Sequence, residues 1–431
     1  MTSIINNSNA NSALINTINA SQSKMNPNVY STKKIYPSSA VTYVKTQKSS
    51  GSVGPNQTMV FDLMKYGIAQ QILLCYTKKG NAATTIGAFD FLDVIDRVEL
   101  LSSSKVIDTL TNADLACMWS DLDTSQFNIV NKSAIAARAA NAHGGTGVGV
   151  HQFVVPLRWG LLSDINTQLN LQFNEPMSIR IRFGANPYQH SDGGAAANAP
   201  TIADDDVFLK MRYKAYNEAD FSEILAENYN EPELNQMSVG FYDESVVTKA
   251  FAPTAVASTA LRMDLDQPGV KVELKNTDCV NNFFVMVREV GVPAGGAGAG
   301  EAGNGGNFVP REILRLRMSA SGQEIFDLQG EELFYSKLCM NGYSTLSNTG
   351  TSLENISKIQ TGLWEYADGG TQSNTLSLRE LNNPIIEVWF VYATNATGNG
   401  DRTYAVSVVE DAVKIYSTTS ATGRLQVALT N

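Results

Sequence analysis

Along most of the chain, apolar residues fall at every second position or in short continuous runs, the two signatures of β-strands with one or both faces buried. Ser178–Phe183 alternates strictly: Ile179, Ile181 and Phe183 face one way, Ser178, Arg180 and Arg182 the other. Val207–Tyr213 repeats the pattern, with Val207, Leu209, Met211 and Tyr213 on one side. Ile95–Leu100 begins another, with Val98 and Leu100 on one face, and Gln71–Tyr76 carries an apolar run of strand length. Helix signals are few. One is Thr111–Trp119, where Thr111 or Asn112 can cap the start. Another is the acidic stretch 218–227, with Phe221, Ile224 and Leu225. Residues 1–35 are rich in Asn and Ser, and Leu14, Ile15 and Ile18 allow one or two amphipathic turns. Asn and Ser compete with the helix backbone, so this segment reads as an arm that orders only against a partner.

The strand pattern repeats. Ile95–Leu110 lies without gaps on Ile313–Leu328 at a constant shift of 218 residues. Ile95 meets Ile313, Arg97 meets Arg315, Leu100 meets Met318, Ile107 meets Ile325 and Leu110 meets Leu328. Ser104 meets Gly322 where a tight turn needs a small residue, and Leu115 meets Leu333 just beyond. Flanking pieces recur in the same order. Met59–Leu63 resembles Leu261–Leu265, and the run at 71–76 resembles Phe283–Val287. Asn174-Glu175-Pro176 resembles Asn382-Asn383-Pro384, and the strand near 206–216 has a counterpart near Thr403–Tyr416. The period is far too long for a solenoid and predicts two similar all-β domains. The boundaries follow: an arm at 1–35, a first domain at 36–217, a linker at 218–235 and a second domain at 236–431. Each half supplies roughly eight short strands separated by turns, which suits a sandwich or jelly roll with short helices in its loops.

Length and composition fit this division. A chain of 431 residues with 43% hydrophobic content can fill two cores. No stretch approaches the roughly 18–20 apolar residues that cross a bilayer, and no secretory leader is recognisable, so the protein is expected to be soluble when made. Charge is uneven: the first acidic residue is Asp62, while Lys24, Lys33, Lys34, Lys45 and Lys48 precede it. A stretch of +5 therefore leads a body of −15, which together give the net −10. So acidic a body is a poor binder of phosphate, and no sequence-specific nucleic-acid contact is expected. Loops at 184–203 and 291–307 are long and rich in Gly, Ala and Asn, as exposed or functional loops are.

Catalytic chemistry finds little support. Cys75, Cys117, Cys279 and Cys339 stand far apart with no Cys-x-x-Cys, and read as buried free thiols. His143, His151 and His190 form no His-x-His, which argues against a two-domain cupin with its metal. Gly298–Gly303 matches Gly-x-Gly-x-x-Gly, but more glycine follows where the dinucleotide motif needs a helix. There is no Gly-Lys pair for a phosphate loop and no Gly-x-Ser-x-Gly elbow. Asp204-Asp205-Asp206 and the pair Asp264 and Asp266 lack a calcium-loop pattern and read as solvated loop charge. Trp119, Trp159, Trp364 and Trp389 are spread over both halves and read as core or contact residues. Neither a cofactor nor a metal is expected.

The two strand–turn–strand–helix blocks, Ile95–Met118 and Ile313–Leu338, and the loop-rich tandem organisation resemble the double jelly-roll major capsid proteins of tailless icosahedral DNA viruses. The resemblance spans about residues 36–431 and is one of pattern, without a signature peptide. It implies an all-β fold of two tandem eight-stranded jelly-roll barrels, with no enzymatic activity. It also implies a homotrimer of nearly hexagonal outline that contacts neighbouring capsomers and minor capsid proteins in the virion shell, after assembly inside the host cell. In that family amino-terminal arms point inward, so Lys24, Lys33 and Lys34 are the candidate contacts to an internal membrane or packaged genome, both anionic. Two other readings compete: a secreted tandem jelly-roll glycan-binding protein or glycosidase, and a β-domain surface appendage.

Overall fold

The computed structural model describes residues 40–79, 91–121, 150–157, 159, 169–171, 175–185, 187–188, 201–215, 236–274, 279–290, 311–333, 356–360, 376–378, 381–418 and 425–429. The arm at 1–35, the acidic segment 218–235 and the glycine-rich loop at 291–307 lie outside these residues.

The first half contributes Ala40–Thr46 (β1), Ser50–Gly51 (β2), Thr58–Asp62 (β3), Ile68–Lys79 (β4), Ile95–Ser102 (β5) and Lys105–Thr111 (β6). Val150–Leu157 (β7), Leu169–Asn170 (β8), Met177–Phe183 (β9), Thr201–Ile202 (β10) and Phe208–Ala215 (β11) complete it. The second half contributes Gln236–Phe251 (β12), Ser258–Arg262 (β13), Val270–Glu273 (β14), Cys279–Glu289 (β15), Ile313–Ala320 (β16) and Gln323–Gln329 (β17). Ser357–Gln360 (β18), Leu376–Ser377 (β19), Ile385–Thr394 (β20), Arg402–Thr418 (β21) and Leu425–Leu429 (β22) follow. Helices are short: Phe91–Val94 precedes β5 and Asn112–Asp121 follows β6.

These strands form four antiparallel sheets. In the first half, β1-β11-β4-β7 faces β2-β3-β9-β5-β6. In the second, β12-β21-β15-β18 faces β13-β20-β16-β17, with β14 also on β20. The two orders are the same pattern: first strand, a late strand and the long central strand in one sheet, the hairpin and its neighbours in the other. Strands adjacent in space are mostly distant in sequence, as in a Greek-key jelly roll. One core lies between the first pair of sheets, around Phe61, Ile72, Leu74, Val98, Ile181 and Met211. The other lies between the second pair, around Phe283, Val285, Leu316, Val388, Phe390 and Val406.

The repeat seen in the sequence is literal in the backbone. β5 and β6 map onto β16 and β17 at the same 218-residue shift, end to end. Register follows: Val98 opposes Leu110 as Leu316 opposes Leu328, and both hairpins carry a bulge at the equivalent place, Leu100/Leu101 and Met318/Ser319. Both hairpins then pair with a third strand that begins after a proline, β9 and β20. A two-residue hairpin loop needs left-handed backbone to match strand twist. Ser103 (φ 54°) and Ser321 (φ 52°) supply it, together with Gly322 (φ 78°). The small residues expected at Ser104 and Gly322 are present, and the serine before each carries left-handed backbone that the sequence does not mark. Each of these serines also donates its N–H across, Ser103 to the Pro176 carbonyl and Ser321 to that of Asn382, at 2.8 Å in both cases.

Alternation tracks burial where one face meets water: β9 alternates buried and half-buried along its whole length. It fails in β15, where Phe283, Phe284, Val285, Met286 and Val287 are all buried. Phe283, Val285 and Val287 belong to the second core, whereas Phe284 and Met286 join the first. The central strand of the second sandwich therefore lies between its own core and the neighbouring sandwich.

Candidate assembly site

Where the two sandwiches meet, the helix after β6 begins with a reciprocal cap. The Asp114 N–H donates to Thr111 Oγ1 at 3.1 Å, and the Thr111 N–H donates to Asp114 Oδ2 at 2.7 Å. Of the two capping candidates in the sequence, Thr111 takes the role, in the manner of a capping box. Asn112 faces outward to the second half, its Oδ1 accepting from Arg288 Nη1 at 2.6 Å. The Arg288 guanidinium lies 3.8 Å from Glu244, which accepts from Ser407 Oγ at 2.6 Å. Phe284, Met286, Ile356 and Val409 of the second half close the apolar part of this junction. Asp114 is fully buried there. Burial pushes its carboxyl well above the usual range, with the charges of Glu244 and Asp243 adding to the rise and the Thr111 hydrogen bonds opposing it.

Several acids on the sheets are tied to arginines. Glu99 pairs with Arg180, and its other oxygen lies 3.2 Å from Arg97. Glu387 pairs with Arg317 and accepts the Gly269 N–H at 2.9 Å. Asp327 pairs with Arg315, whose guanidinium sits 4.8 Å from the centre of the Trp389 ring. Hydrogen bonding to Arg315 holds the Asp327 carboxyl below its ordinary range. Such pairs satisfy the charge of these acids on the sheets. The sequence signal for these pairs is the arginine at alternate positions, Arg180 and Arg182, Arg315 and Arg317, each row facing cross-strand acids.

The acidic triplet is not merely solvated. Lys48 Nζ binds Asp204 at 2.5 Å, the Val53 N–H donates to Asp204 at 2.8 Å, and Lys79 binds Asp206 at 2.6 Å. The Lys48 hydrogen bond lowers the Asp204 carboxyl. Asp264 accepts the Asp266 N–H at 3.0 Å in a local turn. Among the described residues no cluster of three or more His, Cys, Asp or Glu side chains is placed to hold a metal ion. Cys75 and Cys117 are buried thiols outside any disulfide, and burial raises Cys75 to about 11 against the pull of Lys210 and Lys45.

Lys24, Lys33 and Lys34 lie outside the described residues, as do His143, His190, Cys339, Trp364 and Gly298–Gly303. The basic stretch is not all arm, however: Lys45 is in β1, 4.0 Å from the centre of the Phe208 ring, and Lys48 is held by Asp204. No helix among the described residues is long and apolar enough to cross a membrane.

No protein-family model matches the sequence, and no curated protein does either. Solved structures do match. VP54 of PBCV-1, fitted into a reconstruction of the virophage Sputnik, superposes with a TM-score of 0.60 at 13% identity, over 93% of this chain and 98% of that one. The Faustovirus major capsid protein gives 0.57 at 10% identity, over 89% and 91%. The mavirus major capsid protein gives 0.51 at 11%, over 90% of each. With the paired sheets and the repeated strand order, these matches establish that the chain has the double jelly-roll fold of viral major capsid proteins.

Proposed function

We propose that this protein is the major capsid protein of an icosahedral virion, a structural subunit that catalyses nothing. The observation that carries the reading is whole-chain similarity: about nine-tenths of the chain follows capsid proteins through both sandwiches. The ion-paired acids support it against the glycosidase reading, which needs a pair of carboxylates facing a cleft. In this reading the limits are 1–35 for the arm, 36–217 and 236–431 for the two barrels, and 218–235 for the linker. Three copies form a ring of six barrels, which tiles a hexagonal shell lattice beside neighbouring capsomers and minor capsid proteins. The arm with Lys24, Lys33 and Lys34 points inward to phospholipid headgroups or genome, both anionic.

The test is assembly of the full chain. Sedimentation and native mass measurement at micromolar concentration are expected to give a trimer, and negative-stain images closed or hexagonal arrays. A protein that stays monomeric under these conditions is not a capsomer subunit.

A further inference from the structure

Inside one chain, the first barrel presents an edge to a face of the second. The edge is β6 with the helix that follows. The face is the outer side of β12-β21-β15, reached through Arg288, Glu244, Phe284, Met286 and Val409. Because the fold is repeated, each chain carries such an edge and such a face twice; one of each meets inside the chain, and the other edge and face are exposed among the described residues.

The bare edge is β17 and the helical start after it. Ile107 is 7% exposed, but its counterpart Ile325 is 42% exposed. Leu110 is buried, whereas Leu328 is half-buried. Ala113 and Asp114 are buried, but the residues that match them at the same shift, Glu331 and Glu332, are exposed. Glu324 on the same edge is also exposed. The bare face is the outer side of β1 and β11. Tyr43 is 62% exposed there. It stands opposite Arg212, and Lys45 stands opposite Lys210, all three cations exposed. The edge thus carries three exposed carboxylates and an exposed isoleucine, the face three exposed cations and an exposed tyrosine.

We propose that the edge Glu324, Ile325, Glu331 and Glu332 of one copy docks on the face Tyr43, Lys45, Lys210 and Arg212 of a second copy, repeating between chains the contact each chain makes within itself. The pairing is heterologous, with two different surfaces in contact, so it runs head to tail and ends only by closing a ring. Opposite charge adds orientation and rate to an apolar centre. The assignment rests on the capsomer reading and names the surfaces by which it is built.

The test uses the full chain with two charge reversals. Lys210→Glu with Arg212→Glu, and separately Glu331→Lys with Glu332→Lys, are each expected to convert the wild-type trimer to monomer at micromolar concentration. Far-UV circular dichroism should remain that of the wild type. All four substitutions in one chain are expected to restore the trimer, since the charges are then exchanged. If the wild type is a trimer and either double variant stays trimeric, or the fourfold variant stays monomeric, the assignment is wrong while the capsomer reading stands. A monomeric wild type overturns both. Should a variant fail to fold, a salt titration of the wild-type trimer decides. Dissociation that rises at least tenfold towards high ionic strength supports the contact, and indifference to salt overturns it.

Discussion

Asp114 does two jobs that conflict. Its carboxylate completes the cap of the helix after β6, yet it is buried beside Glu244 and Asp243. A carboxyl raised in the folded state binds a proton that the unfolded chain has already released. Stability is therefore lost as pH climbs from the ordinary carboxylate value of 3.8 towards the raised one. Asp204 and Asp327 act in the opposite sense: their carboxyls are lowered, so what they contribute is present above that ordinary value and fades in acid. The prediction is that Asp114→Asn keeps an oxygen for the Thr111 N–H, removes the buried charge and flattens the decline that sets in above the ordinary carboxylate range. Urea unfolding across that range, wild type against variant, measures it; parallel curves would refute it.

At the level of elements, the most legible part of the sequence was the hairpin repeat, because strand length, bulge and turn all depend on local residues. The left-handed serines were harder to see, since serine carries no positional mark of a positive φ as glycine does. Each pays steric strain there that glycine would not, so Ser321→Gly is expected to stabilise the protein by about 0.5–1 kcal/mol. Ser103→Gly should do the same in the first hairpin, and a denaturation midpoint for each reads the effect. The run Phe283–Val287 was legible as a strand but not as one covered on both faces, because a continuous apolar stretch does not say what lies over its second side. The junction was equally hidden. Arg288, Glu244 and Asn112 are separated by long sequence distances, and only the fold brings them within reach of one another.

For the whole molecule, the apolar junction makes the two sandwiches one mechanical unit. Phe284 belongs to the second sandwich by sequence and to the first core by contact. Phe284→Ala is expected to cost about 3–5 kcal/mol through lost burial and a cavity that neither half can close alone. It should lower the urea midpoint, and an unchanged midpoint would mean that the halves are stabilised independently. The doubly covered strand β15 has a further consequence for how the protein is made. Translation at about 5–20 residues per second needs roughly 3–14 s to pass from the end of the first sandwich to Phe284, while β-sandwiches fold in milliseconds to seconds. The last strand of the first sandwich ends at Ala215, well before Cys279 opens β15. The interval is long enough for the first sandwich to fold and to offer its apolar wall to Phe284 and Met286 as they emerge.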